Sequence, residues 1–131
     1  MKKFNTEQKV YQIGKVRVGG QPGELPTFII GSIFWLGQQM VQDANKGIFN
    51  AAEAEKIINT MQTQSDMTGV PFGFDVVGTT EEAFGKYIDF VAKHCDAPIM
   101  LDAMSPRTRM AAATMAKNMG LADRCFYNSV L

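Results

Sequence analysis

Four short apolar segments alternate with three amphipathic ones, and this alternation constrains the fold more than any other feature of the chain. Thr27–Phe34, Phe72–Val77, Pro98–Leu101 (closing on Asp102) and Arg124–Val130 read as strands. The first is apolar on both faces, as parallel strands covered by helices tend to be. Gln38 to Phe49 reads as a long loop. Asn50 then begins a helix, with Glu53 three residues on at capping-box spacing. Ala54, Ile57, Ile58 and Met61 form its buried stripe, and Gly69 ends it. Thr79 and Glu82 repeat the capping spacing ahead of a second stripe, Phe84, Tyr87, Ile88, Val91 and Cys95. Ser105 suits an N-cap and Pro106 the first helical position, where its missing N–H goes unmissed. Ala112, Met115, Ala116 and Met119 give the third stripe, and Gly120 closes it. Repeated strand–helix units predict an α/β fold with a parallel sheet and right-handed crossovers.

Residues 1–26 read as a separate N-terminal segment. Val10–Ile13 and Val16–Val18 alternate apolar and polar around Gly14-Lys15, which predicts a hairpin. Gly19-Gly20-Gln21-Pro22-Gly23 then forces a loop. With 46% hydrophobic residues and 13 basic against 13 acidic side chains, the chain is not a disordered segment. The same balance leaves no cationic surplus for nucleic acid. Two distant cysteines, Cys95 and Cys125, point to a reducing compartment. His94 has no second ligand pair nearby for zinc. No signal peptide and no membrane span are legible, so the expected location is cytoplasmic. The nine methionines read as filler in helix cores.

In parallel α/β folds ligands bind at the carboxyl ends of the strands. Ser32, Asp75, Asp102 and Asn128 are the polar residues there. Burying one unpaired costs ~1–3 kcal/mol, so each needs a partner. A loop amide or a neighbouring strand-end side chain would satisfy it; so would a ligand. Asp102 and Asn128 fall on adjacent strands, where an acceptor beside an amide can read a flat heterocycle. Arg107 and Arg109 lie in the first turn of the third helix, where cations oppose the helix macrodipole by ~0.3–1 kcal/mol. They either bend out into water or meet a ligand tail or a protein partner. No Walker A loop, dinucleotide fingerprint or Ser/His arrangement is present.

Further segments carry a resemblance. Gly19-Gly20-Gln21-Pro22-Gly23-Glu24, Pro26-Thr27 and Ile30-Gly31-Ser32-Ile33-Phe34 resemble the N-terminal signature of the H-type methyltransferase subunit of tetrahydromethanopterin S-methyltransferase. That family includes bacterial relatives acting between corrinoid proteins and tetrahydrofolate. Lys46–Phe49, Tyr87–Val91, Arg109–Ala113, Gly120–Arg124 and Tyr127-Asn128-Ser129 continue the likeness in order. The resemblance implies a (β/α)8 TIM barrel that binds a reduced pterin at its carboxyl face. It implies methyl transfer between N5 of tetrahydrofolate or tetrahydromethanopterin and the cobalt of a cobamide on a separate corrinoid protein, with no metal held by this chain. By the same likeness Asp102 and Asn128 hold the pterin ring, with Asn128 acting at N5. Asp75 is a looser match, and Ser32 lines the site.

A barrel of this type needs ~250 residues, so residues 27–131 are expected to form about its first half. An open half-barrel leaves edge strands unpaired. A truncated chain is the favoured explanation; a homodimer that closes the barrel and a noncatalytic pterin-scaffold or interaction module are the alternatives. A self-contained doubly wound binding domain fits the element order, but the resemblance argues against it. The isolated chain is expected to transfer no methyl group from methyltetrahydrofolate to free cob(I)alamin. It is also expected to associate in solution; light scattering that finds a stable, monodisperse monomer would contradict the half-barrel.

Overall fold

The computed structural model describes residues 2–129. The N-terminal hairpin pairs β1 (Val10–Ile13) with β2 (Val16–Gly19). The main sheet contains β3 (Ile29–Ile33), β6 (Phe72–Val77), β7 (Ile99–Asp102) and β8 (Cys125–Tyr127), all parallel and in that spatial order. Between them run α1 (Ala51–Thr68), α2 (Glu81–His94) and α3 (Pro106–Asn118). The expected α/β fold is therefore present. Its strands follow one another across the sheet without reversal. Right-handed crossovers between successive neighbours put every helix on the same face. A doubly wound sheet reverses its order and covers both faces, so that alternative does not describe this chain.

The covered face carries the core. Ile33, Phe74, Val76, Ile99 and Leu101 alternate along the strands and are buried against Ala54 and Ile58 of α1, Phe84, Ile88 and Val91 of α2, and Ala112 of α3. Asn50 caps α1 by accepting the Glu53 N–H at 3.2 Å, and Gly69 ends it in the left-handed conformation, both as the spacing predicts. The cap of α2 is Thr80, one residue beyond the predicted Thr79; its hydroxyl accepts from Ala83 N–H at 3.1 Å. That hydroxyl also donates to the Asn45 carbonyl at 2.6 Å, fixing the loop that precedes α1 onto the start of α2. Ser105 sits at the N-cap of α3 without a side-chain cap bond.

Four expectations are corrected. The segment Gln38–Phe49 contains a small antiparallel pair, β4 (Val41–Asp43) and β5 (Ile48–Phe49). The first parallel strand is a sheet edge, as an open half-barrel implies, but it is less buried than its apolar pattern predicts, with Ile29 and Ile30 49% and 37% exposed. The fourth strand spans Cys125–Tyr127 and follows a single 3-10 turn, Ala122–Arg124; Val130, where the sequence pattern places its end, and Leu131 lie outside the described residues. Met40 is in the core and Met61 and Met115 pack on it, but Met67 and Met110 stand on exposed helix faces.

The hairpin docks beneath the amino ends of the strands. Gly14 N–H donates to the Asp123 carbonyl at 2.8 Å, and Lys15 pairs with Asp96 at 2.5 Å. Gly14 approaches so closely that a Cβ would lie 2.9 Å from that of Arg124.

At the other end of β3 the chain turns sharply. Phe34 has φ 68°, a left-handed conformation that costs a bulky residue roughly 1–3 kcal/mol. The turn drives its ring into the core, where it stacks on Tyr87 with centroids 4.2 Å apart and planes 2° apart, and meets Phe49 edge-on at 4.7 Å. Its N–H donates to Gln38 Oε1 at 2.6 Å. Phe34→Ala is expected to lower stability by about 3–5 kcal/mol in urea unfolding. A loss under about 1 kcal/mol would show that the aromatic stack does not hold this turn.

Candidate functional site at the carboxyl ends of the strands

The strand register sorts the predicted polar residues onto one face. Ser32, Asp75, Met100 and Phe126 occupy one row across β3, β6, β7 and β8. Two residues further, Val77 pairs with Asp102, and Asn128 follows β8 with its N–H donating to the Leu101 carbonyl at 3.3 Å. Because side chains alternate, both rows point away from the helices, and the Asp102 row lies nearer the carboxyl ends. Beneath them Phe28 lies across Gly73, where a Cβ would meet its ring at 2.7 Å, and reaches Phe126 at a centroid distance of 6.3 Å. An aromatic floor thus underlies a polar upper surface.

Asp75 is the most constrained member. It is 8% exposed. Its Oδ2 accepts the Ser32 hydroxyl at 2.8 Å, while Oδ1 is buried with no hydrogen-bond partner among the described residues. Burial pushes its carboxyl pKa up; the Ser32 hydrogen bond pulls it down, and the negative charge of Asp102 pushes it up further. Two of the four predicted residues, Ser32 and Asp75, are therefore bonded to each other, the strand-end partnership that needs no ligand. It satisfies only one of the two Asp75 oxygens. Asp102 is half-buried, and Asn128 is exposed just past the end of the neighbouring strand.

The sequence alone leaves the role of Arg109 open. Its side chain neither bends into water nor stays free for a partner. Nη2 donates to the Ala103 carbonyl at 2.6 Å, and Nη1 donates to the Ser129 carbonyl, with Ser129 Oγ 3.4 Å away. Charge-assisted hydrogen bonds of this kind contribute about 1.5–3 kcal/mol each, enough to outweigh the ~0.3–1 kcal/mol of macrodipole repulsion. That misplaced cation is the signal in the sequence. Arg107, two residues earlier, is the exposed one and lies 3.4 Å from Glu81.

Other groups stay apart from this face. His94 is exposed at the far end of α2, stacked on Phe90 at 4.0 Å. Burial raises both cysteine thiols, Cys125 to about 11. Among the described residues, no group of three or more His, Cys, Asp or Glu could hold a metal, and no helix is long and apolar enough to cross a membrane. A recess of about 570 Å³ opens at the amino ends of the strands, beside Lys15, Ser65, His94 and Asp96. Among the described residues it contains no buried unpaired polar atom to bind through, so its size does not outweigh the orphaned Asp75 oxygen on the opposite side.

A one-sided parallel sheet with carboxylates and an amide toward its carboxyl ends defines an α/β protein, a fold in which the carboxyl ends of the strands are where ligands bind when they bind. Comparison with known proteins narrows the class. The chain belongs to the tetrahydromethanopterin S-methyltransferase MtrH subunit family, whose family model matches residues 6–131. It is 47% identical to the corresponding tetrahydromethanopterin S-methyltransferase subunit of Methanocaldococcus jannaschii over 130 residues, which are 99% of this chain and 41% of that protein. Its counterpart in Methanococcus aeolicus is also 47% identical over 130 residues, at 99% and 41% coverage. The counterpart in Methanothermobacter thermautotrophicus is 42% identical over 130 residues, at 99% and 42%. The chain thus spans about two-fifths of the length of these curated relatives.

The sign of the Asp75 shift sets a stability prediction. Between the ordinary carboxylate range and its raised value, folded Asp75 keeps a proton that the unfolded chain has lost. The resulting stability is fully present below the ordinary pKa and is lost as pH rises through the raised one. Asp75→Asn removes that loss and keeps an oxygen for Ser32. Its stability relative to the unsubstituted chain should therefore increase as pH rises above the ordinary carboxylate range in urea unfolding. A difference independent of pH would mean that Asp75 titrates as an ordinary carboxylate.

Proposed function

We propose that this face is the first part of a methyltransferase site that holds a tetrahydropterin. The orphaned, buried Asp75 oxygen beside Asp102 is the observation that carries the reading. A carboxylate desolvated without a donor is costly, and a reduced pterin presents ring N–H and amino donors to fill that role. Asp102 accepts from the ring and its amino group. Asp75 adds a second acceptor deeper in the sheet, Ser32 holds Asp75 in place, and the Asn128 amide stands at the ring edge near N5. Phe28 and Phe126 supply an apolar floor.

The methyl group passes between N5 and the cobalt of a cobamide carried by a partner corrinoid protein, which is the second substrate. In transfer from the pterin, the N5–carbon electron pair remains on N5, and the cobalt nucleophile supplies the electrons of the new bond. N5 takes up a proton from solvent as the carbon leaves, and a hydrogen bond at that nitrogen stabilises the developing charge. The contribution of this chain is a positioned donor at that nitrogen, the Asn128 amide, together with carboxylates that fix the ring. Such an interaction raises the chemical rate only if it strengthens in the transition state. Tetrahydromethanopterin is the pterin in the names of the family and of the Methanocaldococcus jannaschii relative, and is favoured over tetrahydrofolate. A cytoplasmic location suits both substrates.

A second reading is a noncatalytic scaffold or interaction module. The exposed β3 edge, with Ile29 and Ile30 uncovered, favours association with further chain or with a second copy. Methyl transfer to cob(I)alamin separates the two readings, and the pterin site common to both is tested by calorimetry with N5-methyltetrahydromethanopterin and N5-methyltetrahydrofolate. Asp102→Ala and Asn128→Ala should each weaken binding by about 10–100-fold, the loss of one charged or bidentate hydrogen-bonding group. Unchanged affinity in both variants would remove the assignment of the site.

A further inference from the structure

We infer that Arg109 is a positioning residue that sets the separation of Asp102 and Asn128, an inference resting on the pterin-site reading. Its two acceptors are the carbonyls of Ala103 and Ser129, each the residue directly after a proposed ring contact. One planar guanidinium therefore spans the two loops that carry Asp102 and Asn128. Its nitrogens are held at a fixed separation, so the carbonyls cannot drift apart without breaking a bond.

The other supports at this end are backbone bonds. Gly78 N–H holds the Asp102 carbonyl at 2.9 Å from the β6 side, and Asn128 N–H meets the Leu101 carbonyl at a longer 3.3 Å. β8 ends at Tyr127, so beyond Asn128 the clamp to Ser129 takes over where strand pairing stops. The cation comes from α3, whose helical frame begins at Pro106 and whose Ala112 and Ala116 are buried in the core. The clamp thus refers the two loops to a rigid element. Arg109 itself lies behind the ring contacts and does not act on substrate.

The test uses the whole chain with Arg109→Lys and Arg109→Ala. A lysine ammonium lacks the fork and cannot reproduce both bonds in the same plane. Without ligand, hydrogen exchange at the Asn128 amide should quicken by about tenfold or more in both variants, while amides within β6 stay protected. Unchanged exchange at Asn128 would overturn the inference whatever the ligand. With N5-methyltetrahydromethanopterin, both variants should bind about tenfold or more weakly, as displaced contacts do. Millimolar methylguanidinium should restore much of the affinity of Arg109→Ala, which a general loss of structure would not allow. In an Asp102→Ala background the effect of Arg109→Lys should shrink, because both substitutions disable one arrangement; strict additivity would overturn the inference. If Arg109→Ala does not fold, Arg109→Lys carries the exchange and binding tests. If the unsubstituted chain binds no pterin, the functional reading fails, and exchange at Asn128 alone decides the clamp.

Discussion

A parallel sheet whose strands follow one another in sequence has one place for its crossover helices. The connections share one hand, so α1, α2 and α3 all fall on the same side of β3, β6, β7 and β8. The other face is left to side chains alone. Everything distinctive about this molecule follows from that asymmetry. The helix side is a continuous apolar core. The free side mixes an aromatic floor, a buried carboxylate and two further polar groups near the strand ends.

The carboxyl end of the sheet is also where local rules give way. Asp75 is desolvated with half its acceptor capacity unmet, and Arg109 sits at the positive end of a helix. Each departure has a local counterweight: the Ser32 hydroxyl for one, and two loop carbonyls for the other. Neither counterweight is complete. Arg109 Nε, like Asp75 Oδ1, is buried without a partner among the described residues. The Tyr87 hydroxyl in the core and Arg124 Nε near the amino ends are unpartnered as well, so what sets the strand-end pair apart is that the Asp75 oxygen belongs to a carboxylate beside a second one, Asp102.

Much of this architecture is legible in the residues. The stripes Ala54–Ile58 and Phe84–Ile88–Val91 are periodic because one side of each helix meets the sheet, and they lie in the core as expected. The cap at Asn50 and the terminator at Gly69 act through local backbone chemistry and need no tertiary information. The misreadings have a common physical source. Ile29 and Ile30 are as apolar as residues in a central strand, yet they stand at an edge, and hydrophobicity does not record who the neighbour is. Thr79 and Thr80 offer the same hydroxyl, and the choice between them is made by the Asn45 carbonyl, far away in sequence. At the site, strand-end position alone brings out Ser32, Asp75, Asp102 and Asn128. The Ser32–Asp75 bond and the Arg109 clamp depend on register and on loops closing across strands, which no spacing encodes.

The left-handed turn at Phe34 has a consequence for how the molecule comes together. Its backbone cost is offset in two stages: locally by the Gln38 side chain and the Phe49 ring, and across the fold by Tyr87, on a helix that follows the next strand in the chain. The end of β3 is therefore tied both to the segment that follows it directly and to the seating of α2, so loosening α2 removes the flat aromatic partner of that turn.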